Sequence, residues 1–327
     1  MMQSIIRTAT ILLTLLAAIA MAAPVQAEFP ERNLNWIVQF PPGGGYDAMS
    51  RALARSINKQ LPKGTSVIVK NVTGAGGRRG AVSLYRAKPD GYTVGVLDML
   101  GLVTAQIQAG AGKTLYDLEK FEYIARMGNE PYTIFVSGKS PHKTLDDLKK
   151  ADRLTWGSEG IGSGRWLPSF LAARALGLKF DLVTGYRGTG DSVPGLMRGD
   201  FVTWLNPSEH STVGPLARDG NLRCIVHLGS KRSWACPDTP TAKESGIDHI
   251  NEIVRLVAIP PGVPRDRARK LEQIVVKAMD DPEYRNWAKS SGTAINPGDA
   301  AASRATYDNL KGMVNREADA IRKALKK

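Results

Sequence analysis

Short apolar runs rich in β-branched residues punctuate the chain: NWIVQF (35–40), SVIVK (66–70), YTVGVL (92–97), YTIFV (132–136), LTWGS (154–158), FVTWL (201–205), LRCIVHL (222–228) and EIVRLVAI (252–259). Runs of this length and composition read as strands. Between most of them lie stretches with helical spacing of apolar residues, among them 46–60, 190–198 and 264–279. Strands alternating with helices predict parallel sheets and an α/β fold. Roughly the last sixty residues carry no strand signal and read as helices. No fixed-period repeat and no low-complexity tract interrupts the pattern.

The N-terminus follows another pattern. Arg7 precedes an apolar run from about Ala9 to Ala23, followed by the small-residue sequence Val25, Gln26, Ala27. That is the layout of a secretory signal peptide, with cleavage expected after Ala27. The run is too short for a comfortable membrane span, and no other stretch approaches about 20 apolar residues. No cysteine follows the cleavage site, so a lipid anchor on the new N-terminus is not supported. About 300 residues remain, more than one hydrophobic core usually serves, so two domains are expected.

Composition adds that, with 43% hydrophobic residues, both domains can be well packed. The formal charge of +13 suggests anionic partners. The basic residues are scattered in short runs without interleaved aromatics, which does not support a nucleic-acid surface. Cys224 and Cys236 are the two cysteines. In an exported protein a disulfide between them is plausible, the alternative being that Cys224 is an ordinary buried thiol within its apolar run.

Ligands of open α/β sheets bind beyond the carboxyl ends of strands. Five turns leaving the strands are small or polar: PPGGGYD (41–47), NVTGAGGRRG (71–80), GSEGIGSGR (157–165), GYRGTGD (185–191) and NPSEH (206–210). Two precede YTIFV and three follow it, which suggests two lobes offering loops to one cleft. A strand, glycine turn and helix present unpaired backbone N–H groups to an anion. Gly43, Gly45 and Ala48 satisfy a dinucleotide fingerprint, but the second strand ends in Lys70 and Asn71 where an acidic ribose ligand is needed. No lysine follows the triple glycine as in a phosphate-cradling P-loop. Trp156 and Ile161 stand where a hydrolase elbow around Ser158 or Ser163 needs glycine. The four histidines have no metal-ligand spacing.

Taken in series, FPPGGGYDAMSRALA, NVTGAGGRRGA, AKPDGYTV, GSEGIGSGRW, GYRGTGDSVPGLMRGD, SKRSWACPDTPTAKESGI and PPGVPRDRARKLEQIVVKAM resemble the substrate-binding proteins of tripartite tricarboxylate transporters, the Bug receptor family. The resemblance runs from about Glu28 to Lys327. It implies a periplasmic two-lobed binding protein of the type II, Venus-flytrap kind, with residues 28–131 as the first part of lobe 1, 132–252 as lobe 2, and 253–327 returning to lobe 1. It implies a monomer that binds a small organic carboxylate and delivers it to integral membrane permease subunits, with no catalysis, metal, cofactor or nucleic acid. A sensing receptor for a signalling partner and, remotely, a dinucleotide-dependent enzyme are the alternatives. Crossings near residues 130–136 and 251–258 are expected to act as hinges.

By the same resemblance, Gly43, Gly44, Gly45, Tyr46 and Asp47 face Ser158, Gly162 and Ser163 across the cleft, and Gly76, Arg165, Trp166, Tyr186, Thr189 and Asn206 complete the expected site. The chain departs from the family pattern at Tyr46, where a small hydroxyl residue is common, and at Trp166, where histidine is common. Pro168 falls where a helix should be under way. If it sits in a first helical turn, residues 160–167 are loop, and Arg165 and Trp166 can turn into the cleft. Otherwise Arg165 is a surface charge and Trp166 packs beneath the lobe.

Overall fold

A computed structural model describes residues 29–325 except 111, 162, 187 and 211. The signal-peptide segment and Gly162 therefore lie outside the described residues. Strand β1 (Leu34–Val38) runs parallel to β2 (Val67–Asn71) on one side and β3 (Thr93–Asp98) on the other. Helices α1 (Gly45–Asn58), α2 (Arg78–Tyr85) and α3 (Met99–Ala109) follow these three strands. β9 (Glu252–Ile259) adds antiparallel to β3, and β4 (Glu122–Ser137) antiparallel to β9. The sheet is thus mixed, where strand–helix alternation predicts a parallel one. The chain re-enters from a distance as β9, and its direction is free of the crossover constraint that makes β1 to β3 parallel.

β4 is the strand that joins the two halves. From Glu122 to Pro131 it pairs with β9; from Tyr132 to Ser137 it pairs with β7 (Trp204–Pro207) and β8 (Leu222–His227). Sixteen residues of strand reach about 50 Å. The sequence pattern marks only its second half. Register shifts at Tyr123/Ala125 and Arg126/Gly128 break the period-two alternation in the first half, and Gly128 and Pro131 dilute its strand character. Tyr132 N–H donates to Asn251 C=O at 3.0 Å, so the second crossing, into β9, lies directly beside the first.

Around the far half of β4 lie α4 (Leu145–Lys150), β5 (Leu154–Gly157), α5 (Trp166–Ala175), β6 (Phe180–Val183), α6 (Thr189–Arg198) and α7 (Val213–Arg218). β5 and β6 form a short parallel pair, and Trp156 bridges to Thr203 beside β7. The C-terminal helices α8 (Arg265–Met279), α9 (Pro282–Ser291), α10 (Ala300–Arg316) and α11 (Ala318–Leu325) return to the first half. One apolar core lies under α1, α8 and α9 with Trp36, Met49, Leu53, Leu271 and Tyr284. A second runs from Leu97 and Leu100 of the first half to Trp156, Leu167 and Leu171 of the other, so α3 and α5 pack together. The structure joins Cys224 and Cys236 in a disulfide, their Cα atoms 6.4 Å apart.

Candidate functional site

β1 delivers the chain to Gln39, which is 1% exposed and acts as a cross-tie. Its Nε2 donates to Gly77 C=O at 2.8 Å, and its Oε1 accepts the Asp98 N–H at 2.6 Å. Beyond it, Gly43 turns the chain at φ +81°, a conformation that favours glycine. Gly43 N–H then donates to Asp47 Oδ2 at 2.9 Å. Asp47 also accepts from Arg51 Nε at 3.0 Å and Asn71 Nδ2 at 2.9 Å. Burial alone would raise the Asp47 pKa, but the hydrogen bonds from Arg51, Gly43 and Asn71 outweigh it and hold the carboxyl below its usual range. The side chain of Asp47 is thus committed to fastening the loop.

Gly44 and Gly45 need another explanation. Gly44 has φ −78°, which any residue adopts, and a Cβ there would meet only the Pro41 carbonyl, at 3.6 Å. A Cβ on Gly45, the first residue of α1, would meet only Arg255 Nη2, at 3.9 Å. Neither backbone strain nor packing requires glycine at these two positions. No side chain caps α1. Its first turn therefore presents backbone donors and a partial positive charge on a bare surface.

Below this loop the sheet carries a row of charges. In register, Asp98 at the end of β3 pairs with Arg255 of β9. Arg255 forms a two-pronged ion pair with Glu130 of β4, at 2.9 and 3.0 Å, with side chains only 6% and 9% exposed. The guanidinium also lies 4.8 Å from the centre of the Tyr46 ring. The buried Tyr46 hydroxyl sits beside the Asp98 carboxylate without closing a well-formed hydrogen bond. Tyr46 thus packs beneath the glycine loop, against Arg255 and Phe40.

The opposing loop runs from β5 to α5. Ser158 is fully buried, its Oγ 3.5 Å from Ser163 Oγ, which accepts the Trp166 N–H at 3.2 Å. Arg165 donates to Glu159 Oε1 at 2.8 Å, to the Leu205 carbonyl at 2.9 Å and to Asn206 Oδ1, so Asn206 and Arg165 are joined. The two loops meet at Asp98: a Cβ built on Gly164 would come within 2.7 Å of Asp98 Oδ2. His210, in the turn after β7, faces the same charges; burial pushes its pKa down, Glu130 opposes, and Arg165 and Arg255 lower it further.

The structure therefore brings the 43–47 loop, Ser158, Ser163, Arg165 and Asn206 toward one junction, and Thr189 opens α6 at the same edge of the β5–β6 pair. Five expectations need correcting. Arg165 is neither a free surface charge nor an open clamp, because Glu159 and β7 already hold its guanidinium. Trp166 is the first residue of α5, 3% exposed and stacked on Phe170 at 5.3 Å, so its face is not offered to a ligand. Pro168 does sit in the first turn of α5, where its missing N–H costs nothing, but the helix begins earlier than Leu167. Tyr186 lies along α6 against Phe201, its hydroxyl donating to Asp200 at 3.2 Å, away from the cleft. Gly76 is an exposed turn residue at φ +63°. It adjoins a separate pocket of about 570 Å³ between α2 and α3, lined by Val72, Arg79, Val82, Leu115 and Tyr116. Asp98, Glu130 and Arg255 were not expected. Their signals were present as an acid closing the apolar run VGVLD and an arginine inside IVRLVAI.

Residues 49–323 match the model of the TctC family, described as the tripartite tricarboxylate transporter family receptor. The chain belongs to this family. Protein BugT of Bordetella pertussis is 31% identical over 244 residues, 71% of each chain. The structure of the periplasmic binding protein BugD is 27% identical, with a TM-score of 0.71, covering 90% of this chain and 98% of its own. MatC of Rhodopseudomonas palustris, solved with bound malate, is 24% identical with a TM-score of 0.69 over 91% of this chain and all of its own, and shares the fold. The TctC receptor is thus a two-lobed periplasmic binding protein with an α/β fold, and the family consists of solute receptors. Among its described residues, no helix is long and apolar enough to cross a membrane.

Proposed function

We propose that this TctC receptor is exported, is cleaved after Ala27, binds a small organic carboxylate between its lobes, and hands it as a monomer to the permease subunits of a tripartite transporter. Residues 28–131 and 253–327 form one lobe and 132–252 the other, with the β4 and β9 crossings as hinges. The carboxylate sits between the 43–47 loop and the 158–165 loop. It is held by N–H groups of Gly44, Gly45 and Tyr46 from one side and by the Ser158 and Ser163 hydroxyls from the other, without cofactor, metal or bond-breaking. The observation that carries this reading is the pair Gly44 and Gly45, whose bareness neither dihedral angle nor packing explains and close approach of a ligand does.

The energetics are sufficient. A hydrogen bond to a charged group contributes roughly 1.5 to 3 kcal/mol, so four of them give a gross 6 to 12 kcal/mol, roughly what micromolar binding needs at about 8 kcal/mol. Malate in the MatC structure is a carboxylate held by the same fold. A thermal-shift screen of the mature protein against a carboxylate library tests the reading. A ligand at a hundred times its Kd stabilises by about 2.7 kcal/mol, and a library without a single stabilising acid contradicts it.

A further inference from the structure

The segment GAGGRR (74–79) has no part in the carboxylate site between the lobes. Among the described residues, Ala75 is the one non-glycine with a positive φ, at +51°, a left-handed conformation that is costly for a residue with a Cβ. Strain of this kind persists where the surrounding structure over-determines it, often at a ligand site. Here it accompanies a particular contact: Arg78 Nε donates to the Ala75 carbonyl at 2.8 Å. The guanidinium is thereby held over the pocket between α2 and α3, which Ala75 and Arg78 both line.

The pocket has the size and chemistry of a small-molecule site. Its volume of about 570 Å³ falls in the range such sites occupy. Val72, Val82, Ala105, Ala109 and the exposed Leu115 give it apolar walls. Tyr116 adds a ring rather than a free polar group, because its hydroxyl donates to the Leu102 carbonyl at 3.1 Å. Arg78, Arg79 and Lys113 are all exposed where they line it, and no acidic residue does so among those described. Among the described residues none of the three cations has an ion pair, and the bond from Arg78 Nε is the one hydrogen bond their side chains make. Three like charges around one cavity repel each other, and an anion between them reverses that term. An apolar body attached to that anion would cover the exposed walls.

We propose that the pocket between α2 and α3 is a second ligand site, separate from the cleft, that takes a free amphiphilic organic acid: an apolar chain or ring ending in one anionic group. The apolar body lies against Val82, Ala105 and Ala109, and the acidic head lies among Arg78, Arg79 and Lys113. A guanidinium meets a carboxylate through two parallel N–H bonds, and Arg78, steadied by the Ala75 carbonyl, has its terminal N–H groups left for that purpose. An anionic lipid in a membrane offers the same head and tail, but a pocket of small-molecule volume fits the free acid. The cleft and this site are independent, so each is tested without the other.

The test is calorimetry of the mature protein with octanoate, and with octan-1-ol as its neutral match. Octanoate is expected to bind with a Kd below about 1 mM and at least tenfold more tightly than the alcohol. Ser83→Phe and Ala109→Phe, which put a ring into the pocket, should each weaken octanoate binding at least tenfold. The triple variant Arg78→Gln, Arg79→Gln, Lys113→Gln should bind octanoate no better than the alcohol while melting near the wild-type temperature. Gly45→Ala, in the cleft, should leave this binding unchanged. If octanoate does not bind, if the alcohol binds equally, or if Gly45→Ala weakens octanoate while both ring variants do not, the pocket is not an acid site and the carboxylate receptor still stands. If phosphatidylglycerol vesicles bind the wild type and not the triple variant while octanoate binds neither, the occupant is a lipid surface and the proposal falls.

Discussion

Replacing Arg255 by Met removes the cation from beneath the cleft and leaves Glu130 buried alone. At 2.9 Å and an effective dielectric constant of about 20, the attraction lost is about 6 kcal/mol. Against it stands the desolvation of each buried ion, several kcal/mol and here taken as about 3. Removing Arg255 loses the attraction but recovers its own desolvation, a net cost of about 3 kcal/mol. Glu130→Met costs about the same. The double variant loses the attraction once and recovers both desolvation penalties, so it should lie within about 1 kcal/mol of wild type. Urea unfolding of all four proteins at pH 7 reads these differences, with an expected coupling energy of about 6 kcal/mol. A double variant as damaged as the sum of the singles would refute the reasoning, as would an Arg255→Met loss below about 1 kcal/mol. Since Arg255 also carries Tyr46 and approaches Gly45, the double variant should be stable yet bind ligand more weakly.

Gly45→Ala should leave the melting temperature unchanged or raised, because alanine is the better helix former and the site has room, while weakening carboxylate binding at least tenfold by calorimetry. Asp47→Asn should destabilise by about 2 kcal/mol at pH 7 through the unpaired Gly43 N–H and Arg51. Because the folded pKa of Asp47 lies below the unfolded value near 3.8, its contribution is complete above that pH and fades as pH falls through the folded value. The gap between wild type and Asp47→Asn in urea midpoints should therefore close in acid, and a gap that widens contradicts the assignment. Reducing the Cys224–Cys236 bond, which closes a loop of sequence separation 12, should cost about 3 kcal/mol. Melting with and without reductant measures this, and identical curves would argue against the bond.

The parts of the fold legible in the sequence are those governed by local pattern. Strands β1, β2, β3, β8 and β9 and helices α1, α6 and α8 lie within two or three residues of their apolar runs, because burial on one face writes a period into the chain. The first half of β4 is different: its bulges shift the period, and its partner β9 is more than a hundred residues away. Of the site, the glycine loop is legible because conformation and bareness are properties of residue type. The fates of Tyr186 and Trp166 are not, since Phe201 and Phe170 compete for the same rings and only the packed chain decides. Asp98 and Arg255 stood in the sequence as charges within apolar strands, but what brings them together beneath the glycine loop is the sheet order that sets β3 beside β9 and β9 beside β4.

The most direct test of the central claim is a crystal structure of the mature protein with the tightest acid from the thermal-shift screen. The account predicts a carboxylate oxygen about 3 Å from the N–H groups of Gly44 to Tyr46, enclosed by the 158–165 loop. Density for the acid in the pocket between α2 and α3, with the glycine loop bare, would contradict it.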